Sequence, residues 1–464
     1  MRIAALSQQV RNGALACGCL LAAAPVHAEP SVALTLPEAR SLAVHALQGD
    51  RPALASQIAH GLLVADPRSP YAHYVLATAH ADMGDATAGR RSAARAYRYA
   101  ETTVQKFQAA ELAARLTFAE GRPTRTQLWL RRAVQNAPSP EIEEQLARDY
   151  ARVRRENPFR FSISGGVKPS SNVNNGADTA QQVIDGLPFT GRLSGGAQAL
   201  SGVVGTVDAV AGYRLRSTDR ARTDLAARLF VQRIALDSRS HHLAPEVRNR
   251  DFGATYADVT LRQTYAVGTR GNTVDVTGSV GEYWSGGNRS YTFARVGLGH
   301  RWQVSAATSV SFGAAIEERF SDRTHFFDSS TASVSAGATH TVAGGDGIGL
   351  SVNLRKTESD FINYASTAAS LRLTYSFADQ IGPAIVSAGL VLGKTDYDDY
   401  VAVFSVPGGK QDYATYADVN VLLPDVDYAG FAPSVNFRAG RTRSNVSRFE
   451  TRELSVSLGF QSKF

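Results

Sequence analysis

The sequence predicts an α+β multidomain chain. An N-terminal stack of short α-helices is followed by a transmembrane antiparallel β-barrel of about 14 strands. Three observations predict it. Apolar residues recur at helical spacing from about Leu36 to Glu156. From Phe159 onward the period drops to two and stays there. In the last such segment Leu454, Val456, Leu458 and Phe460 alternate with Ser455, Ser457, Gly459, Gln461 and Lys463, and the segment runs into Phe464. A final aromatic residue after a strand of this kind resembles the assembly signal of bacterial outer-membrane barrels.

The first 28 residues read as a secretory signal. Arg2 and Arg11 precede an apolar run from Gly13 to Pro25, and Val26-His27-Ala28 supplies a small-x-small cleavage site. The two cysteines, Cys17 and Cys19, lie inside that run, and the residues before them fit a lipobox poorly. Cleavage after Ala28 leaves a mature chain without thiols, which excludes disulfide frameworks and cysteine metal sites. After the signal no run of roughly 18 apolar residues occurs, so no transmembrane helix is expected. The net charge of +7 comes mostly from dispersed arginines. Arg90-Arg91, Arg131-Arg132 and Arg154-Arg155 read as solvated helix faces, and export argues against nucleic acid as a partner.

Residues 29–157 read as a periplasmic helical domain. Leu36-Pro37-Glu38 starts a first helix that runs to Gln48, and Gly49-Asp50 ends it. Pro52 opens a second, with Leu54, Ile58, Leu62 and Leu63 as its buried stripe, and Asp66-Pro67 closes it. Ser69-Pro70 starts a third, stopped by Met83-Gly84-Asp85. Ala86 to Ala100, Val104 to Glu120, a helix after Pro123, and Glu141 to Arg155 complete seven. Helix pairs at a spacing of roughly 34 residues resemble tetratricopeptide repeats, which imply a concave surface for a partner. Tyr71, Gly84, Ala88, Ala96, Tyr97 and Pro123 stand about where such repeats place aromatic, small and breaking residues, although the usual Trp-Leu-Gly opening is missing.

Asn157-Pro158 marks the boundary, and residues 158–464 form the barrel. Alternating segments centre near Ser162, Val207, Leu229, Val259, Val276, Val296, Phe312, Val334, Val352, Leu373, Leu390, Val421, Phe437 and Val456. Turn-like breaks such as Asp219-Arg220, Gly268 to Gly271 and Gly344 to Gly347 alternate with longer polar stretches such as Ser238 to Arg250 and Asp322 to Asp328. Only a closed barrel satisfies every backbone group in lipid. The period of two sends Arg214, Arg228, Asp258, Arg262, Asn353, Arg355, Arg372 and Arg438 to the face opposite the apolar set. A register that points these groups into hydrocarbon costs about 2–4 kcal/mol per charge near the midplane. They are therefore expected to line a wet lumen.

Signatures of catalysis are weak. Gly344-Gly345-Asp346-Gly347-Ile348-Gly349 lacks the Lys-Ser/Thr of a phosphate loop and reads as a hairpin turn. No Gly-x-Ser-x-Gly elbow occurs. His241-His242 has no third ligand spaced nearby and reads as a loop pair. No enzymatic role, cofactor or metal is expected.

Two motifs sharpen a resemblance. Asn157-Pro158-Phe159 leads into Gly165-Gly166-Val167-Lys168-Pro169-Ser170-Ser171-Asn172-Val173-Asn174-Asn175, and the end of the chain carries Gly430 to Val435, then Arg441-Thr442-Arg443-Ser444-Asn445-Val446. With the helical domain and the barrel, these are similar to the surface lipoprotein assembly modulator (Slam) family. Barrels of that family open with a strand followed by a Ser-Asn-Val/Ile-Asn element and close with a related Ser-Asn turn. The resemblance implies outer-membrane translocation of secreted or lipid-anchored protein cargo, with periplasmic chaperones, the barrel-assembly machinery and outer-membrane lipid as further partners. It marks Ser171, Asn172, Val173, Asn174, Ser444 and Asn445 as motif residues. Ser171, Asn172, Asn174 and Asn175 also fit simple Asx-turn capping of a strand. The alternatives are an exopolysaccharide export porin with helical repeats, or a general porin. A neighbouring gene for a small secreted or lipid-anchored barrel protein would favour the first reading.

Overall fold

The computed structural model describes residues 34–188, 190–268, 271–426 and 431–462. The segment at 1–28 expected to be a signal, Phe464, Gly430 and residues Thr269-Arg270 lie outside the described residues.

Seven helices come first: α1 (Leu36–Gln48), α2 (Pro52–Ala65), α3 (Pro70–Asp82), α4 (Ala86–Tyr99), α5 (Thr103–Ala119), α6 (Pro123–Val134) and α7 (Pro140–Glu156). Proline opens α2, α3, α6 and α7, where its missing N–H costs nothing. Ser69, Asp85 and Ser139 accept backbone N–H groups at three of the starts. Gly84 at φ 81° and Gly121 at φ 67° turn the chain after α3 and α5. Each helix packs on the next, and α1 also meets α3 as α3 meets α5. Alanine makes this close stacking possible. Ala43, Ala55, Ala59 and Ala79 fill one core, and Ala77, Ala93, Ala110, Ala113 and Ala133 fill a second with Trp129 and Tyr150. A Cβ on Gly89 would stand 3.0 Å from the Ala77 carbonyl oxygen and 3.1 Å from Leu116, a tight fit that a larger residue meets only if these neighbours shift.

The barrel strands are β1 (Phe159–Ser170), β4 (Gly202–Ser217), β5 (Ala221–Leu236), β6 (Ala254–Ala266), β7 (Thr273–Ser285), β8 (Asn288–Gln303) and β9 (Thr308–Ser321), followed by β10 (Ser329–Thr341), β11 (Gly347–Glu358), β12 (Ser366–Ser376), β13 (Ile385–Tyr397), β14 (Lys410–Leu422), β15 (Phe431–Ser444) and β16 (Thr451–Ser462). They form one closed antiparallel barrel in which sequence neighbours pair and β1 returns to β16. The strand count is the expected one. Two short strands, β2 (Gln181–Val183) and β3 (Thr190–Arg192), form a separate hairpin inside the first long loop, and a short helix α8 (Ser238–Leu243) sits in the loop after β5. His241 and His242 fall on α8. Neither the hairpin nor α8 was anticipated.

The outer face carries the large apolar side chains, exposed because only lipid would cover them. Val207, Leu229, Val259, Val280, Val296, Ile316, Val334, Leu354 and Leu458 belong to it. Short turns such as 218–220, 304–307 and 342–346 lie at one rim, and long loops such as 171–201, 237–253 and 398–409 at the other. The exception at the long-loop rim is Gly286-Gly287, whose φ values of 61° and 86° make a two-residue hairpin turn. Both ends of the barrel and the end of α7 stand at the short-turn rim.

The seam between first and last strands is the least paired. Toward β4, β1 pairs through every residue from Phe159 to Ser170. Toward β16 it pairs through Gly165, Gly166, Val167 and Ser170. Pro169 cannot donate to that ladder. Backbones approach closely, since a Cβ on Gly459 would lie 2.8 Å from the Gly165 oxygen and one on Gly166 2.9 Å from the Leu458 oxygen. The Phe460 ring fills the space over Gly165.

Candidate functional site: the barrel lumen

All eight residues singled out by their parity occur on inward strand positions. Arg228 donates from Nε and Nη2 to Asp208 at 2.9 and 2.7 Å. Asp258 is opposite Arg228 in register and accepts from the Thr260 hydroxyl at 2.8 Å. Arg262 is opposite Asp224, but Asp224 is engaged by Arg222 at 2.6 Å. Asn353 reaches the Val334 carbonyl at 3.5 Å. Arg372 donates to both oxygens of Asp418 at 3.2 Å. Arg438 meets Glu453 at 3.2 Å and lies 4.4 Å over the Tyr416 ring. Lys168 shares Glu453 at 2.8 Å, which ties β1 to β16 across the seam.

Two interior spaces follow. One, of about 810 Å³, lies toward the short-turn rim between Arg154, Arg160, Arg222, Arg228 and Arg262 and the carboxylates of Asp224, Asp258 and Asp275. The other, of about 430 Å³, lies toward the long loops and holds Arg355, Asp412, Tyr416 and Phe449. Among the described residues no hydrogen bond or ion pair engages the side chains of Arg160, Arg262 or Arg355. Inward-facing Ser333, Ser335, Ser370, Thr277 and Ser279 complete a polar wall. The same parity puts Arg160, Arg222, Asp208, Asp418 and Glu453 on the inward face, but which of them pair depends on the register between strands.

The junction with the helices is built from Asn157, which is 1% exposed. Its side chain donates to Gln127 at 2.6 Å and meets Thr124, and it accepts the Phe159 N–H at 3.0 Å. Arg214 is at this rim. Both of its terminal nitrogens donate to the Arg155 carbonyl at 3.1 Å, which ties the end of α7 to β4.

The Ser-Asn motifs build the opposite rim. Asn172 accepts the Gly176 N–H at 2.7 Å and donates to the Gly176 carbonyl at 2.8 Å, closing its own loop. Asn174 spans further, donating to Gly196 and Gln198 and accepting from Leu200 at 2.9 Å. Val173 packs on the cluster of Leu200, Val204, Ile234 and Leu236. Ser171 follows β1 and borders an outward-facing groove beside Leu454. Ser444 accepts the Val446 N–H at 3.2 Å, and Asn445 accepts from Gln411 and donates to Gly409, both at 2.8 Å. The side chains of Asn172, Asn174, Ser444 and Asn445 are engaged by backbone, which is loop architecture. The hairpin loop is then clamped to the last loop. Ser447 accepts from Val183 at 2.7 Å and donates to Gln181 at 3.0 Å, and Asp178 accepts the Arg452 N–H at 3.0 Å. Close by, Lys410 is 3% exposed, with its ammonium 3.9 Å from the Tyr397 ring centre, 4.1 Å from that of Phe449 and 2.6 Å from Asp412. Burial, with Tyr397 and Asp412 beside it, pushes the Tyr400 hydroxyl up to about 12.

No family model matches the chain, and no curated protein does. Among solved structures, OprB of Pseudomonas putida at high pH is 11% identical, covering 68% of this chain and 96% of its own, with a TM-score of 0.39. The COG4313 outer membrane channel from Pseudomonas putida F1 is 10% identical over 65% of this chain and 94% of its own, at 0.32. The type III secretion translocator chaperone SycD of Yersinia enterocolitica is 17% identical over 26% of this chain and 85% of its own, at 0.24.

Proposed function

We propose that this chain is an outer-membrane translocator that passes specific protein cargo, surface lipoproteins or small secreted proteins, to the cell surface in the manner of the Slam family. The observation that carries the reading is the lumen wall. It is polar along its length and holds guanidinium groups that no carboxylate engages by hydrogen bond or ion pair among the described residues, at Arg160, Arg262 and Arg355. In a water-filled lumen such groups trade weak, screened contacts with a passing polypeptide's carbonyls and carboxylates and hold none of them firmly. The paired arginines, Arg228, Arg372 and Arg438, keep the wall in shape.

The short-turn rim faces the periplasm in this proposal. The helical stack, tetratricopeptide-like in spacing, hangs there from Asn157 and Arg214 and receives the cargo or its escort. Chaperones would deliver the cargo, and the barrel-assembly machinery would insert the barrel. No cofactor is used, because passage breaks no covalent bond. A basic lumen also suits an acidic polysaccharide, which keeps polymer export as the second reading.

The test replaces Arg160, Arg228, Arg262, Arg355, Arg372 and Arg438 together by Gln. Surface display of the cargo should fall while heat-modifiable barrel persists. Unchanged display with all six replaced would rule out the lumen as the path. Loss of capsule or matrix polymer with cargo display intact would establish the polysaccharide reading instead.

A further inference from the structure

Charges on the lipid face of a barrel need a reason, because each register step that points one outward is disfavoured in hydrocarbon. Elsewhere on this barrel some outward charges are paired within the chain. Lys356 is held by Glu358 at 2.6 Å, and Glu282 by Arg289 at 3.5 Å. Over β13 to β16 the outward arginines Arg441 and Arg443 have no such pair among the described residues, although Lys394 is paired with Asp396.

Three outward rows can be followed across these strands. Leu390, Ala417, Ala439 and Leu454 are register partners in sequence around the wall. The next row toward the long loops is Leu392, Thr415, Arg441 and Arg452. The row beyond is Lys394, Tyr413 and Arg443. Arg441 and Arg452 are thus directly opposite each other on one face, an arrangement of like charges that destabilises a sheet. Their neutralisation is slight. Arg452 has Asp178 at 3.7 Å, Lys394 has Asp396 at 2.9 Å, and among the described residues neither Arg441 nor Arg443 has a hydrogen bond or ion pair. Beneath the two arginines the small side chains of Ala417 and Ala439 leave a groove of about 680 Å³ flanked by Leu390 and Leu454. Leu454 is 75% exposed, against 39% for Leu390 in the same row.

We infer that this groove is a binding site for a phosphorylated, multi-acyl lipid of the outer leaflet. The acyl chain lies along Ala417, Ala439 and Leu454, and a phosphate bridges the guanidinium groups of Arg441 and Arg452. The charge argues for that occupant. Guanidinium matches phosphate with paired N–H donors, and one anion between two arginines turns their repulsion into attraction. The height argues for it too. The arginines stand on the long-loop side of the apolar row, the side of the outer leaflet's head groups when the long loops face the cell surface. The inference does not depend on which cargo the barrel carries.

The experiment is native mass spectrometry of the purified full chain in detergent, with added bisphosphorylated lipid A, its dephosphorylated form, or inorganic phosphate. The wild type should retain the bisphosphorylated lipid. The R441Q/R452Q variant should bind it at least about ten-fold more weakly, as expected from losing two charge-assisted contacts. R233Q, which removes an outward arginine on β5, should bind as the wild type does. Heat-modifiability of each variant shows that its barrel is closed. Equal retention by R441Q/R452Q, equal binding of the dephosphorylated lipid, saturation of the site by phosphate alone, or a second copy of the chain on this face would each overturn the inference.

Discussion

Gly459 and Gly166 set the distance at which the barrel closes, and a single methyl group tests this. A Cβ at Gly459 meets the Gly165 carbonyl oxygen at 2.8 Å, and one at Gly166 meets the Leu458 oxygen at 2.9 Å. Both neighbours are backbone, so neither can swing aside. The strands must separate by a few tenths of an ångström where their ladder is shortest. Overpacking of this kind costs about 1–3 kcal/mol, and each ladder bond lost adds about 1 kcal/mol. Gly459→Ala or Gly166→Ala should therefore destabilise the barrel by about 2–4 kcal/mol. Gly278, also in a strand, is the matched control, with no heavy atom within 4 Å of its would-be Cβ. There alanine should be neutral or stabilising by about 0.4–1 kcal/mol through the unfolded chain. Urea unfolding in lipid vesicles, followed by loss of the compact form on gels without heating, reads all three. If Gly459→Ala and Gly166→Ala unfold at the midpoint of Gly278→Ala, the seam is not limited by backbone approach.

Three further outcomes are expected. His73 is buried against Tyr99, and burial, with Arg95 adding to it, holds its imidazole pKa below the usual value despite a 3.1 Å bond to the Pro67 carbonyl. The unfolded chain then takes up a proton that the folded one resists, so helical stability is full above about pH 6.5 and falls as pH drops below it. Circular dichroism melts at about pH 7.5 and about pH 5.5 should show that fall, smaller in His73→Phe. Asn157→Ala removes the side-chain bonds to Thr124, Gln127 and Phe159, worth about 1–3 kcal/mol, and should speed proteolysis at the Asn157–Pro158 junction without lowering barrel heat-modifiability. Deleting Phe464, or replacing it by Asp, should lower the amount of heat-modifiable protein in outer-membrane fractions; unchanged levels would remove it as an assembly signal.

The barrel was legible because lipid on one side and water on the other force a period of two. Segments such as Leu350-Ser351-Val352-Asn353-Leu354 record that difference directly. The helices were legible from proline and glycine punctuation, as at Pro52, Pro70 and Gly121. The β2–β3 hairpin and α8 were not, because three-residue strands and a six-residue helix are too short to show a period. Parity indicated which face Arg228 and Arg372 occupy. It could not supply their partners, since Asp208 and Asp418 lie on other strands and their heights depend on register. Asn174 shows the same limit. An Asx-turn is a local pattern, whereas its bond to Leu200 spans 26 residues. Gly165, Gly166 and Gly459 looked like small residues in an alternating run, and nothing local reveals a backbone approach across a closing sheet.

That closing contact joins residues far apart in the chain. Lys168 and Glu453 are separated by 285 positions, whereas β4 and β5 turn back on each other within a few residues. Bringing such distant ends together costs about 5 kcal/mol of chain entropy before any bond between them forms. Glycine and proline in β1 leave few ladder bonds to offset it. The bonds of Val183 and Gln181 to Ser447, and of Arg452 to Asp178, span 264 to 274 positions and lie at the long-loop rim, just beyond the paired stretch of the seam. The last step of folding is then a two-point latch, in which the outer loops hold the cylinder shut while a sparse line of backbone bonds knits the strands. A latch of that kind makes the loops part of the barrel's assembly, and insertions there would be felt as slow closure rather than as altered transport.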